Sequence, residues 1–511
     1  MIYPLNTFRE FSLLKRGVRG VLLFIVTLSQ ITGYSQVDTV ARLYVFGGNN
    51  NDNAEEIKST SDGGYIVIGS TSSNSWGNTD AYLLKVDSNC NYEWSKALGG
   101  TNNDWGYAIE ETHDKGFIIA VTSNSFGNGG YDAVLMKRDS LGNYEWKKTY
   151  GGNDWDFIYD VTQTYDSGYV FCGETYNNTN GFSDVWVVKT NINGDTLWTK
   201  TIGGSLIDKG NAIIETSDSN IVIAGITNTL SDSTQIYVLK FTSTGTLLWD
   251  SIYGDTLYEN VNAITETING DYVLTGSSTS FSPAGDKDFY LIRTDKNGAV
   301  VWANAFGNPA IPQDDEAFDL FEETNGDLIN VGYTQAAGGG MKDAILFKIT
   351  SIGFWGGLGP TYGSVYNEAL KSITVGNNGD YCMAGYTTSF GNGLEDVLII
   401  RLDTLYDLQD TATSIFTDIT PLTIKEVYKN FNFNIYPNPA KDFIVVGVKN
   451  WDASNSYKFI LTDIEGRIIR EEQLRAQNSN IALHDIIKGI YFYTITNDSN
   501  NIEHGKLIIL K

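Results

Sequence analysis

Aromatic and acidic residues recur in this sequence within stretches rich in Ser, Asn and Gly, a combination that suits ligand binding. The candidate residues are Trp76, Asp104, Trp105, Phe126, Asp154, Trp155, Asp156, Tyr258 and Phe390. Aromatic rings stack on the apolar faces of sugars while carboxylates and amides bind hydroxyl groups, and such acids can also hold Ca²⁺ against a surface polymer. The other interpretation is that the acids satisfy turn backbones and the rings fold inward.

Most catalytic chemistry is excluded by the residues that the chain lacks. Its three histidines are His113, His484 and His504, and none lies among the candidates, so a His-based triad, a Cys–His pair or a His-ligated metal is excluded there. Motifs such as GxGxxG, the Walker loop and HExxH are missing. We therefore predict no cofactor, with calcium the one metal that the acidic loops would suit. A carboxylate pair acting on a polysaccharide is the catalytic alternative.

The composition is that of an acidic, turn-rich, all-β protein. Among 511 residues there are 61 acidic and 35 basic ones, a formal net charge of -26, which argues against nucleic acid as a partner. The 53 Gly beside 8 Pro indicate many tight turns. Cys90, Cys172 and Cys382 are too few and too scattered for a disulfide framework or a metal site.

An internal repeat of about fifty residues organises residues 36–405. An apolar or aromatic residue followed by Gly marks each start, near residues 47, 99, 151, 203, 254, 307 and 363. Each unit is predicted to form four short strands, which together make one blade of a β-propeller. Seven units therefore predict seven blades. Residues 40–46 predict a strand that completes blade seven and removes its open edge. Residues 406–430 are predicted to be a linker.

Two features repeat in most units and are predicted to be structural. A basic residue closes each third strand, from Lys85 to Arg401, and an Asp lies five residues before it in six of the seven units. A turn that ends in Gly precedes the fourth-strand tryptophan in most blades, with the form D-x-x-G at 139–142 and 295–298 and Asn in place of the Asp at 191–194; the six tryptophans are Trp94, Trp146, Trp198, Trp249, Trp302 and Trp355. The turn resembles the tryptophan-docking motif of quinoprotein propellers, shifted by one residue. That resemblance implies a Trp packed between blades, and the quinone site is not carried over.

Strand direction places the candidate residues on one face. Strands alternate up and down from the axis outward, so the crossovers between blades share a face with the loops between second and third strands. The long and variable loops all belong to this face. A ligand is therefore expected there, on what we call the loop face, and the tight hairpin turns lie on the opposite, hairpin face.

The N-terminus predicts export. Basic residues including Arg9, Lys15 and Arg19 precede a short apolar run at residues 21–28, which together read as a signal peptide over residues 1–35. The apolar run is too short to span a bilayer, and no later segment of the sequence is expected to do so.

The C-terminal residues carry an ordered set of motifs. YPNPA at 436–440, D-x-x-G-R at 463–467, GxYxY at 489–493 and a final GK-apolar-K lie among short predicted strands of a small Ig-like β-sandwich. Over residues 431–511 this closely resembles the type A sorting domain of the Bacteroidetes type IX secretion system. The resemblance implies handling by the type IX machinery and a secreted or outer-membrane surface location. It assigns the sorting signal to Tyr436, Pro437, Asn438, Pro439, Gly466, Gly489, Tyr491 and Lys506.

The sequence as a whole predicts an all-β protein with a seven-bladed propeller followed by a small sandwich. Its expected role is to bind an extracellular glycan, polymer or protein. One alternative is a polysaccharide hydrolase or lyase that uses acids such as Asp104 or Asp156. The other is a purely structural surface protein, which would bind no ligand saturably.

Overall fold

The computed structural model describes residues 41–402, apart from 74, 178, 180, 231–232, 283, 308–311 and 339, together with 416–423, 433–436, 440–448, 456–462, 467–497 and 502–510. The predicted signal peptide, much of the predicted linker and the sorting residues Pro437, Asn438, Pro439 and Gly466 lie outside these ranges. Within the ranges every regular element is a β-strand, and no helix that could cross a membrane is found. The chain divides into two compact units at Ile424 and Lys425.

After β1 (Ala41–Gly47), the strands form successive four-stranded antiparallel sheets. Blade one contains Asp52–Ser59 (β2), Tyr65–Thr71 (β3), Asp80–Val86 (β4) and Tyr92–Leu98 (β5). Blade two contains Asp104–Glu111 (β6), Phe117–Ser123 (β7), Asp132–Arg138 (β8) and Tyr144–Tyr150 (β9). Blade three contains Asp156–Gln163 (β10), Tyr169–Thr175 (β11), Asp184–Thr190 (β12) and Thr196–Ile202 (β13). Blade four contains Asp208–Glu215 (β14), Ile221–Leu230 (β15), Ser233–Phe241 (β16) and Leu247–Tyr253 (β17).

The remaining sheets complete the ring. Blade five contains Glu259–Glu266 (β18), Tyr272–Ser278 (β19), Asp288–Thr294 (β20) and Val300–Phe306 (β21). Blade six contains Asp315–Glu322 (β22), Leu328–Thr334 (β23), Asp343–Ile349 (β24) and Trp355–Tyr362 (β25). Blade seven contains Glu368–Val375 (β26), Tyr381–Thr387 (β27) and Asp396–Leu402 (β28). The first strands of consecutive blades contact one another in a closed ring. The predicted seven-bladed propeller is therefore confirmed.

The sheet of blade seven is closed by the start of the chain. β1 pairs antiparallel with β28, so that Leu43 lies opposite Ile400. A further strand, Phe416–Thr423 (β29), pairs in parallel with the outer edge of β1. Part of the segment predicted as a linker is therefore a fifth strand of this sheet.

Burial explains why these segments form strands in this order. Every residue of β3 and β4 is buried, because neighbouring blades cover both faces of each sheet. Apolar clusters accordingly combine residues of adjacent blades, as Ile68 of blade one packs with Ile119 of blade two. The outermost strands alternate between exposed and half-buried residues, as in Thr196–Ile202.

Each repeated basic residue pairs with an acid in the hairpin turn of its own blade. Lys85 Nζ, on β4, lies 3.1 Å from the Asp62 carboxylate in the turn between β2 and β3, and 3.2 Å from that of Glu93. Lys137 and Lys189 make the same contact with the turn acids of blades two and three. Each pair ties a third strand to the hairpin turn of the same sheet on the hairpin face.

The fourth-strand tryptophans pack between blades. Gly142, in the turn before β9, lies so close to Trp94 of the preceding blade that a Cβ there would come within 2.6 Å of the indole. The same turn Gly of the next blade faces Trp146, Trp198, Trp249 and Trp302. These glycines have φ values between 72° and 85°, a left-handed conformation that side chains disfavour. Trp355 packs instead on Phe306 and Phe347 of the preceding blade and its own.

The second unit is a small sandwich of two sheets, as predicted. One sheet contains Phe433–Tyr436 (β30), Phe443–Val448 (β31) and Asn478–Ala482 (β34). The other contains Tyr457–Thr462 (β32), Ile468–Leu474 (β33), Gly489–Asn497 (β35) and Ile502–Ile509 (β36). Apolar residues such as Val446, Phe459 and Leu507 fill the core between them. Of the predicted sorting residues, Tyr436 lies on β30, Gly489 and Tyr491 on β35, and Lys506 on β36.

Candidate functional site

An acidic residue begins the first strand of every blade and holds the crossover loop. Asp104 Oδ2 accepts hydrogen bonds from Gly100 N and Ser125 Oγ, both at 2.7 Å. Asp156 Oδ2 accepts one from Asn177 Nδ2 at 2.7 Å. Both acids are buried and their carboxylates are engaged by the protein itself. The prediction that they contact a ligand is therefore corrected: Asp104 and Asp156 build the loop face.

In six of the blades the residue before the third strand is tied to the next blade. A backbone N–H at the start of a first strand donates to the carbonyl of that residue: Asp52 N to Glu395 O at 2.9 Å, Asp104 N to Thr79 O at 2.8 Å, and Asp156 N to Tyr131 O at 2.7 Å. These bonds bring Glu395, Thr79 and Tyr131 beside the innermost strands of blades one, two and three.

A cavity of about 340 Å³ opens on the loop face where blades seven, one and two meet. Trp105 and Tyr107 of β6 supply its aromatic lining. The other lining residues are polar apart from one glycine, and they are Asn51, Asn53, Glu55, Ser70, Ser72, Thr79, Gly106 and Glu395. The cavity therefore combines an aromatic side with amides, carboxylates and hydroxyls, a composition that suits polyhydroxylated ligands.

The aromatic lining continues into a cluster that crosses blades two and three. Trp105 stacks on Tyr131 with ring centroids 4.9 Å apart, and Tyr131 stacks on Phe157 at 5.5 Å. Trp155 contacts Tyr131 edge-on at 6.0 Å and also Tyr176 at 5.9 Å. The predicted pair Trp105 and Trp155 is thus joined through Tyr131 in one aromatic surface.

Two half-buried acids, Glu55 and Glu395, give the cavity its electrostatic character. Burial raises the pKa of both Glu55 and Glu395. The Lys371 ammonium, 4.0 Å from Glu55, opposes this shift in both groups. Burial, followed by the charge of Glu55, raises the pKa of Tyr107 above its ordinary value, so its hydroxyl remains a hydrogen-bond donor at neutral pH. The cavity therefore offers both donors and acceptors.

A second cavity of about 410 Å³ occupies the central channel and shares Glu55 and Tyr107 with the first. Its acids serve the fold, because Glu56 accepts a hydrogen bond from Ile109 N of the next blade at 2.6 Å. Asp160 and Asp319 accept equivalent bonds from the blades that follow them. We therefore place the candidate site at the first cavity and not in the channel.

The other predicted residues do not converge on this cavity. Phe126 packs against the core between blades one and two beneath Lys147 Nζ, and Phe390 packs against the core of blades six and seven. Both rings are half-buried and line no part of this cavity, so their role as ligand contacts stays a prediction. Trp76 is 81% exposed and Tyr258 is 51% exposed, in the loops of blades one and five. Asp154 is exposed beside Trp155.

The sequence interpretation missed most of the cavity lining. Tyr107, Glu55 and Asn53 lie on innermost strands at positions that differ from blade to blade, and Thr79 and Glu395 precede a repeated Asp. Variation from blade to blade beside a repeated position was the signal that could have found them. Within the described ranges, no three His, Cys, Asp or Glu side chains are grouped so that they could hold a metal ion.

Two groups of carboxylates give the stability of the propeller opposite dependences on pH. Burial raises the pKa of Asp132, Asp315 and Asp396 to about 6. These acids bind protons more tightly in the folded state than in the unfolded state, so stability rises as pH falls from 7 toward 4. On the hairpin face, burial is outweighed by hydrogen bonds from Thr216 and Lys240, which lower the pKa of Asp218 to about 2. Its stabilising contribution is complete at neutral pH and is lost as pH falls from about 4 to 2.

We expect the melting temperature to pass through a maximum between about pH 4 and 6, measured by calorimetry from pH 3 to 8. Asp132→Asn and Asp396→Asn should flatten the limb above the maximum, and Asp218→Asn should flatten the limb below it. A melting temperature that declines steadily from pH 7 to pH 4 would contradict these assignments.

The C-terminal unit identifies the route of export. Residues 434–510 match the family model of the secretion system C-terminal sorting domain. The chain is thus a β-propeller protein of the type IX secretion route, with the secreted or cell-surface location that this domain directs. The predicted sorting domain, its machinery and its location are confirmed.

Solved structures resemble the chain in fold. A puromycin hydrolase mutant in complex with PGG has a TM-score of 0.47 and 10% identity, over 78% of this chain and 58% of that one. PorZ, a surface component of the type IX secretion system of Porphyromonas gingivalis, has a TM-score of 0.41 and 11% identity, over 91% and 60%. The β-propeller domain of the Trilobed protease from Pyrococcus furiosus has a TM-score of 0.40 and 10% identity, over 72% and 98%. A search among curated proteins finds no match.

Proposed function

We propose that this exported propeller binds a glycan in the cavity between blades seven, one and two. The observation that carries the proposal is the aromatic lining of Trp105 and Tyr107 among the amides, carboxylates and hydroxyls of the same cavity. A sugar ring has apolar C–H faces and a rim of hydroxyls. It can stack on the indole while its rim exchanges hydrogen bonds with Asn51, Glu55 and Glu395.

The size and placement of the cavity support a carbohydrate. A volume of about 340 Å³ lies at the lower end of the range for small-ligand sites, which suits one or two sugar units. The aromatic surface continues from Trp105 through Tyr131 to Trp155, which is half-exposed. A longer chain could therefore extend from the cavity along blades two and three, with further units stacked on Trp155.

The test is a glycan and polysaccharide array probed with the mature protein, with Ca²⁺ and with a chelator. Trp105→Ala and Tyr107→Ala should each weaken binding about tenfold or more, because each removes an aromatic contact at the centre of the site. Trp76→Ala is the matched control, since it removes an exposed Trp of the same face that does not line the cavity. Equal losses of binding in Trp76→Ala and Trp105→Ala would refute the cavity as the binding site. Loss of binding in the presence of the chelator would show that binding depends on calcium.

A carboxylate-dependent hydrolase or lyase is the second candidate, and one observation favours it. Glu55 and Glu395 line the same cavity, and burial raises the pKa of both, as general acid catalysis by a carboxyl group requires. Release of reducing ends by the wild type, lost in Glu55→Gln or Glu395→Gln, would establish the enzyme. Saturable binding without release supports a binding protein. Absence of both would favour a protein partner or a purely structural role.

A further inference from the structure

Like the seam at Trp355, where the indole packs on Phe306 and Phe347 instead, the seam between blades seven and one lacks the docking pair seen at the five seams from blade one to blade six. At those five seams a fourth-strand Trp packs on the turn Gly of the next blade, as Trp94 does on Gly142. At this seam β1 supplies Arg42 opposite Arg401, at the position where β5 places Trp94 opposite Lys85. The turn Gly is also replaced, by Cys90. Neither partner of the docking pair is kept where the ring closes.

Cys90 adopts a backbone conformation that favours glycine. Its φ is 59°, whereas the glycines at the same turn position of other blades have φ values of 72° to 85°. A residue with a Cβ is disfavoured in this left-handed region. The side chain at position 90 is therefore expected to make an interaction that offsets this cost.

Cys382 lies directly across the seam from Cys90. The two Sγ atoms are 3.8 Å apart, and both side chains are buried. Cys382 occupies the second position of β27, where the other second strands carry a branched apolar residue: Ile66, Ile118, Val170, Val222, Val273 and Ile329. Both residues thus depart from their repeats, each to cysteine and each at the same seam.

We propose that Cys90 and Cys382 form a disulfide that covalently closes the propeller between blades seven and one. The two thiols lose two protons and two electrons, which reduce the disulfide of a thiol–disulfide oxidoreductase outside the inner membrane to a dithiol. A disulfide has its sulfurs about 2.05 Å apart, so the two Sγ atoms, now 3.8 Å apart, must approach further to form the bond. The bond links residues 292 positions apart, so it restricts the unfolded chain strongly.

The burial of the thiols bears on when the disulfide forms relative to closure of the seam. Burial raises the pKa of the Cys382 thiol well above its usual range, which disfavours the thiolate that exchange requires. The bond is therefore expected to form while the seam is still open. Cys172 is buried between blades three and four, where it packs with Ile213, and has no part in the bond.

The test uses the full chain exported into an oxidising bacterial periplasm, denatured and alkylated without reductant. We expect one alkylated cysteine, Cys172, and a cross-linked peptide pair that contains Cys90 and Cys382 and separates on reduction. Three alkylated cysteines, or a cross-link that includes Cys172, would overturn the proposal.

Matched variants separate the bond from packing. Cys90→Gly and Cys382→Val restore residues that other blades carry at these positions, so they preserve the fold. Reductant should lower the melting temperature of the wild type and of Cys172→Val by roughly 5–10 °C. It should leave that of Cys90→Gly and Cys382→Val unchanged. The same response to reductant in Cys90→Gly as in the wild type would contradict the disulfide.

Discussion

Replacing Leu43 with Asp is expected to destabilise the propeller by more than about 4 kcal/mol, enough to unfold blade seven. Leu43 is 1% exposed and packs with Ile400 and Leu398 in the core shared by blades six and seven. A carboxylate there has no partner to compensate for its lost hydration. Without β1, β28 becomes an open edge, so the variant should also aggregate. Chemical unfolding followed by circular dichroism, with light scattering in parallel, measures both effects.

Arg42→Gln is the matched control, because Arg42 is an exposed residue of the same strand. Its free energy of unfolding should lie within about 0.5 kcal/mol of the wild type. If Leu43→Asp were as stable as Arg42→Gln, the N-terminal strand would contribute nothing to closure and the ring would be held at another seam.

The blades were predictable because one pattern of strands and turns occurs seven times, so an ambiguous segment in one unit is clear in another. β29 has no such counterpart. The segment contains Pro421 among threonines, which are typical of a linker. Pro421 pairs with Val45 at the outer edge of the sheet, where a residue without a backbone N–H is tolerated.

The candidate site was predictable only in part, because residue type does not reveal which way a side chain points. Trp105 and Phe126 both lie in aromatic, loop-rich stretches, yet the first lines the cavity and the second is half-buried against the core of blades one and two. The structure also distinguishes between acidic residues. The Asp104 carboxylate accepts hydrogen bonds from the crossover loop, whereas Glu395 lines the cavity. The bond from Asp52 N to Glu395 O brings blade seven into a site formed largely by blades one and two, and the sequence gives no sign of this contact.

Replacing Asp104 with Ala is expected to destabilise the propeller by roughly 3–5 kcal/mol, because Gly100 N and the hydroxyls of Ser123 and Ser125 lose a charged acceptor in a water-poor setting. Asp154→Ala, at an exposed acid of the same face, should change stability by less than about 0.5 kcal/mol. Urea unfolding measures both variants, and glycan binding is compared well below their melting temperatures. Trp105 follows Asp104 directly, so any loss of affinity in Asp104→Ala should accompany the loss of stability. A variant that keeps its stability but loses the ligand would instead make Asp104 a direct contact, despite its burial.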